Sequence, residues 1–222
     1  IDILYIILKK IPVIPNLEQI RFEINKLVEL FRGFSKPPTK SIEGIWAEML
    51  IIEQSKNPDY LVNAWHSSIL SKFDFNDGID KIEVKCTTKE KRIHRFSLFQ
   101  LDPNYSSKLI IASIITSQTG LGLNIFNLRD RVFENLVDKN LIVKIDEMFS
   151  ITLGKDIDKA IDYYFDYHSA TDYLNYFDYN DIPKLNISEI PTQISNVKFD
   201  CDLTDIEPIN KPLINSTLFE SL

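Results

Sequence analysis

From Leu17 onward, apolar residues recur at steps of three and four through Ile20, Ile24, Leu27 and Leu30, the spacing of one face of an amphipathic helix. Pro37 and Pro38 interrupt that run in a polar connection, and Ser41 is placed to cap a second helix over SIEGIWAEMLIIEQS. Asn57-Pro58 opens a shorter helical piece reaching about Trp65. The period then drops from 3.6 to 2. KFDF (72–75) and DKIEVKCTT (80–88) alternate on either side of an Asn76-Asp77-Gly78 turn signal, which predicts two strands of a meander, with RIHRFSLF (92–99) as the third. KLIIASIITS (108–117) is apolar almost throughout, as a strand at the buried centre of a sheet would be. TGLGLN (119–124) reads as a turn into a helix carrying Ile125, Leu128, Val132 and Leu136. Beyond Gly154 the pattern weakens. A Tyr-rich stretch is followed by NVKFDCDL (196–203), a late strand, and this part is expected to pack on the sheet or extend it.

These elements predict three parts: a strand/helix extension over 1–40, a core over 41–155, and a C-terminal extension over 156–222. Trp46 and Trp65 are expected in the core. The first apolar run, ILYIILKK, is much shorter than the roughly 20 residues that cross a bilayer and has no signal-peptide pattern, so no membrane association is expected. Two cysteines make neither a disulfide framework nor a zinc site, which fits a cytoplasmic protein.

Charge changes the picture more than composition does. A net charge of −7 argues against a protein that coats nucleic acid through its overall field. The distribution is uneven. Residues 156–222 hold thirteen acids against four lysines, so the first 155 residues are slightly positive; within 81–95, six Lys or Arg face two Glu. Lys89, Lys91, Arg92 and Arg95 read either as a solvated loop or, beside a metal site, as phosphate contacts. His94 is a phosphate contact or simply a strand residue. His66 and His168 have no ligand-like neighbours in the sequence.

The strand alternation carries the candidate chemistry. Ile82, Val84 and Cys86 should face the core, and Lys81, Glu83, Lys85 and Thr87 the opposite side. If the two strands pair through the 76–80 turn, Asp74 and Glu83 meet on one face. Converging carboxylates repel unless a cation lies between them, and Mg²⁺ takes one or two carboxylates while leaving other positions to water and phosphate oxygens. Lys85 would stand beside it and supply positive charge to a scissile phosphate. Asp77 and Asp80 compete with Asp74 as the first acid, although Asn76-Asp77-Gly78 is more simply a turn. Glu48 falls near the apolar face of its helix, where an unpaired carboxylate is costly and a metal or Lys85 would relieve it. No GxxxxGK[ST] occurs, so no nucleotide cofactor is expected.

DF followed by IEVK resembles the bipartite signature of the PD-(D/E)XK nucleases, with Asp74 as the first acid and Glu83-Val84-Lys85 as the second element. GIWAEMLII, DFNDGIDKIEVKCTT, HRFSLFQL and YNDIPKL are similar to an uncharacterised bacterial group of that superfamily associated with restriction-like phage defence. Phe73 stands where the family often has Pro. The resemblance implies an α/β restriction-endonuclease-like core, a mixed sheet flanked by helices. It further implies that Asp74, Glu83 and the Val84 carbonyl hold Mg²⁺ (or Mn²⁺), that Lys85 orients or activates water, that Glu48 reaches the metal through water, and that Gln100 touches Lys85 or the phosphate. The expected activity is DNA endonuclease, with DNA delivered by a protein partner or a homodimer because the whole chain is acidic. A repair nuclease shares the chemistry. A non-catalytic interaction module that keeps the fold is the alternative of a different class.

Overall fold

The computed structural model describes residues 11–34, 36–66, 71–101, 107–210 and 216–222. Helix α1 (Leu17–Phe34) is followed by α2 (Ile42–Glu53) and α3 (Pro58–Ala64). The cap expected at Ser41 is present, its Oγ accepting from the Gly44 amide at 3.1 Å; Asn57 caps the helix that Asn57-Pro58 opens, its Oδ1 accepting from the Tyr60 amide at 3.1 Å, with Pro58 in the first turn. Strands β1 (Phe75–Asn76), β2 (Lys81–Thr87), β3 (Ile93–Ser97), β4 (Leu109–Ile115) and β5 (Gln118–Leu123) come next. Helices α4 (Ile125–Asn135), α5 (Leu141–Leu153), α6 (Ile157–Ala160) and α7 (Tyr167–Asp172) lead to β6 (Asn175–Asp178), β7 (Lys198–Asp202) and α8 (Thr217–Glu220).

The central sheet has the order β1-β2-β4-β6. β1 runs antiparallel to β2, β2 parallel to β4, and β4 antiparallel to β6. Side chains of β4 alternate between two cores, as a strand covered on both faces requires. Ile110, Ala112 and Ile114 join Trp46, Met49, Leu50, Trp65, Ile145 and Phe149 on the helical side, whereas Leu109 and Ile111 join Phe73, Phe96, Phe177 and Leu203 on the other. A mixed sheet flanked by helices, as expected, is therefore the fold.

Several elements differ from the expectation. β3 is not the third strand of a meander; it pairs antiparallel with β7 in a separate two-stranded ribbon. Its edge is taken by the C-terminal acidic strand, which local periodicity could not reveal. TGLGLN is an extended strand curled around Phe165, to which Gln118 and Leu123 bridge, and not a turn. Helix α5 was not expected at all: nine of its thirteen residues are buried, and Lys144, Asp146 and Glu147 leave too narrow a polar side to mark its period. In α1, Leu17 and Ile24 of the predicted stripe remain exposed, and the Leu30 side chain and the strand expected before residue 11 lie outside the described part. The Tyr-rich stretch supplies β6, so the C-terminal part does extend the sheet. No described helix is long and apolar enough to cross a membrane.

Candidate active site

The β1–β2 hairpin sets the geometry. Phe75 pairs with Ile82 and Asn76 with Lys81, so the same register brings Asp74, one residue before β1, opposite Glu83. Gly78 turns the chain at φ +93, and the rival acids are absorbed by that turn. Asp77 Oδ1 accepts from the amides of Ile79 (2.9 Å) and Asp80 (2.8 Å), while Asp80 Oδ1 accepts from the amide of Lys108 (2.9 Å).

Asp74, Glu48, Glu83, Val84, Lys85 and Gln100 line one cleft of about 410 Å³. Glu48 is buried on α2, where Trp65 Nε1 donates to its Oε2 at 2.7 Å and His66 Nε2 lies 3.3 Å away. Its other oxygen, Oε1, is held by the Lys40 ammonium, which also bonds Asp74 Oδ1. Asp74 Oδ2 accepts from the Val84 amide at 2.8 Å, the contact through which Val84 meets the acid. On the same face of β2, Lys85 Nζ lies 2.7 Å from Glu83 Oε1. Gln100 donates its amide N–H to that same oxygen, while its carbonyl accepts from the Ser97 amide at 2.8 Å. Lys85 also sits over the Phe96 ring at 5.0 Å, which keeps its stem against the apolar side of the ribbon.

Burial and like charge work against these acids. Burial, then the charges of Glu48 and Glu83, push Asp74 well above the usual carboxylate range, and Lys40 relieves this only in part. Burial also opposes ionisation of Glu48, but His66 and Lys40 outweigh it and hold the group at about 2. For Lys40, burial disfavours the charge, yet Asp74 and Glu48 together raise its pKa.

Two residues in this cluster were not expected. Lys40 lies in the polar connection before α2, and nothing in its local pattern separates it from a solvated lysine. His66 has no ligand-like neighbour in the sequence, but the fold brings Glu48 and Asp74 to it. Trp65 bridges to Phe75, and the His66 amide donates to the Asp74 carbonyl at 2.9 Å, so the end of α3 is stitched to the start of β1. Glu48, His66 and Asp74 each offer one ligand atom, all within 4.8 Å of one another. Glu83 is not in that trio but adjoins it closely enough to act on Asp74.

The residues fit a divalent cation. Glu83 Oε2 is buried and finds no hydrogen-bond partner among the described residues, nor does His66 Nδ1, an expensive condition for buried polar atoms. Carboxylate oxygens with one imidazole are a donor set for Mg²⁺, Mn²⁺ or a related ion.

The basic run divides. Lys89, Lys91 and Arg95 are exposed, and Arg95 borders the cleft. Arg92 turns inward: its guanidinium donates to Ser113 O (2.8 Å), Ser113 Oγ (2.9 Å) and Tyr173 O (2.6 Å). His94 is buried beside it, with Nε2 2.7 Å from Ser113 Oγ. Burial, then the charges of Lys85 and Arg92, lower His94 to about 4. A neutral ring accepting the Ser113 hydroxyl proton at Nε2 satisfies both neighbours. Cys86 packs on the helical core as parity predicted but also reaches the cleft, where burial and the Glu43 carboxylate push its thiol up, away from reactivity.

A mixed sheet between helices, with acids from a helix and a hairpin meeting a lysine two residues beyond the second acid, is the restriction-endonuclease-like class of architecture. Residues 7–204 match the family model DUF4420, described as "Putative PD-(D/E)XK family member", and the chain belongs to that family. Neither a curated protein nor a solved structure matches it significantly.

Proposed function

We propose that the protein is a metal-dependent DNA endonuclease that hydrolyses phosphodiester bonds, uses Mg²⁺ with Mn²⁺ as a substitute, and acts in the cytoplasm in bacterial restriction or phage defence. The observation that carries this reading is the buried Glu83 Oε2: a carboxylate oxygen without a donor among the described residues, on a side chain that lines the cleft beside two further acids. Asp74 and Glu83 would hold the ion, joined by Glu48 or His66 and by the Val84 carbonyl, and the chemistry it would supply there is Lewis acidity toward a phosphate oxygen and acidification of water. Lys85, steadied by Glu83 and by the Phe96 ring, keeps a positive charge next to the acids, where charge develops on phosphate. Gln100 fixes the Glu83 carboxylate through one end of its amide and is itself fixed by the Ser97 amide.

Lys89, Lys91 and Arg95 are the exposed cations that would hold the DNA backbone. With net charge −7, their grip is weak and salt-sensitive, so a partner subunit or a second copy brings the DNA. The test is nicking and linearisation of modified and unmodified plasmid with Mg²⁺ or Mn²⁺. Wild type should cut one of the two plasmids, and Asp74→Ala, Glu83→Ala and Lys85→Ala should each abolish cutting while staying folded. Undiminished cutting by the Lys85 variant would remove this mechanism. A folded protein whose melting is indifferent to both ions would instead be a non-catalytic interaction module.

A further inference from the structure

Among the described residues, and Lys40 apart, each of the two acids nearest it is tethered through one oxygen. Glu48 Oε2 is held by Trp65 and His66, and Asp74 Oδ2 by the Val84 amide. The remaining oxygens, Glu48 Oε1 and Asp74 Oδ1, both meet the Lys40 ammonium. The scaffold therefore fixes a pair of anionic oxygens whether or not Lys40 is present, and the lysine fills the space between them.

The lysine itself is built to leave. Its side chain is 28% exposed, against 3% for Glu48 and 10% for Asp74, so it enters from the cleft mouth and the acids form the floor. Its backbone is moored independently: Thr39 N donates to Thr152 O at 2.8 Å and Lys40 N to the same carbonyl at 3.4 Å. Four rotatable bonds can carry the ammonium out into the cleft without moving the chain.

We propose that Lys40 is a resident monovalent cation that competes with the divalent ion for Glu48 Oε1 and Asp74 Oδ1, and that on displacement it swings into the cleft to hold a phosphate. This rests on the metal-centre reading above and adds a positioning residue to it. Two linked properties follow. The free protein binds divalent ions weakly because each must evict an ammonium. A phosphate backbone in the cleft takes the released ammonium, so ion and DNA strengthen each other's binding by the same factor.

Mn²⁺ titration at pH 8, read from the electron paramagnetic resonance signal of the free ion and without DNA, tests this on the full chain. Lys40→Met should bind Mn²⁺ at least about tenfold more tightly than wild type, since a unit charge within about 4 Å of the ligands is removed. Lys40→Arg, which keeps the charge, should show no such gain. If Lys40→Met does not fold, Lys40→Gln carries the same expectation. Equal or weaker Mn²⁺ affinity in the neutral variant overturns the role of Lys40 alone. Absence of Mn²⁺ binding by wild type and variant together overturns the metal centre, and this inference with it.

Discussion

In the cleft, three buried carboxylates meet two partly buried ammonium groups; on the β3–β7 ribbon, basic and acidic side chains face one another across two strands in open water. Both are near-neutral as groups, yet they do different work. The cleft gathers like charges where desolvating each costs several kcal/mol, and it retains them only by supplying Lys40, Lys85 and fixed N–H donors. The ribbon pairs Arg95 with Asp200 through two hydrogen bonds of 2.8 and 2.9 Å, with both side chains largely exposed. Exposed pairs of that kind are screened and add little to stability. Dielectric surroundings, more than the number of charges, decide which cluster matters energetically, and strain of the cleft kind is characteristic of functional sites.

Breaking the cleft should have the largest effect. Lys85→Ala should lower plasmid cleavage about a thousandfold or more, the scale of losing a charge aimed at a transition state, and circular dichroism should show the variant still folded although it melts earlier, because the buried Glu83 loses its ammonium partner. The ribbon's buried side comes second. His94 has a folded pKa of about 4 against 6.5 unfolded, so the stability it contributes is present above pH 6.5 and is lost as pH falls toward 4. That loss is about 3 kcal/mol at 1.36 kcal/mol per unit. Urea titrations at pH 7 and pH 4 should show it in wild type and a correspondingly smaller drop in His94→Gln.

Ser113→Ala should cost about 1–2 kcal/mol at neutral pH, because the Arg92 guanidinium and His94 ring lose a shared buried partner. Smallest is the exposed edge. Asp200→Asn should leave thermal melting unchanged but raise DNA affinity modestly and steepen its salt dependence, because Arg95 is freed for phosphate. A gel-shift series in increasing KCl would measure it, and a large melting shift would erase the contrast between the two regions.

The hairpin geometry was legible because strand alternation and turn residues are local. Asp77-Gly78 fixed the turn, and the turn fixed Asp74 opposite Glu83. Glu48 was legible for a similar reason, as a carboxylate on an apolar helix. Lys40 and His66 were not. Their roles depend on contacts with residues 34 and 8 positions downstream, set by how α2 and α3 dock on the sheet. Arg92 and His94 looked like part of a basic surface because charge counts carry no direction. Which of them turns inward depends on Ser113, a lone hydroxyl in an otherwise apolar strand. The separate ribbon was hidden because β3 finds its partner about a hundred residues away.

Gly154 ends α5 at φ +50 and ψ −130, and an added Cβ there would meet the Lys36 carbonyl oxygen at 2.2 Å. That carbonyl accepts from the Lys155 amide at 2.9 Å, in the same short connection that presents Lys40. A single methyl group at position 154, carrying no charge, would lever this mooring outward and slacken the arm that guards the cleft entrance. Tuning of the centre by distant, uncharged changes is thus built into the way two helix ends are tied together.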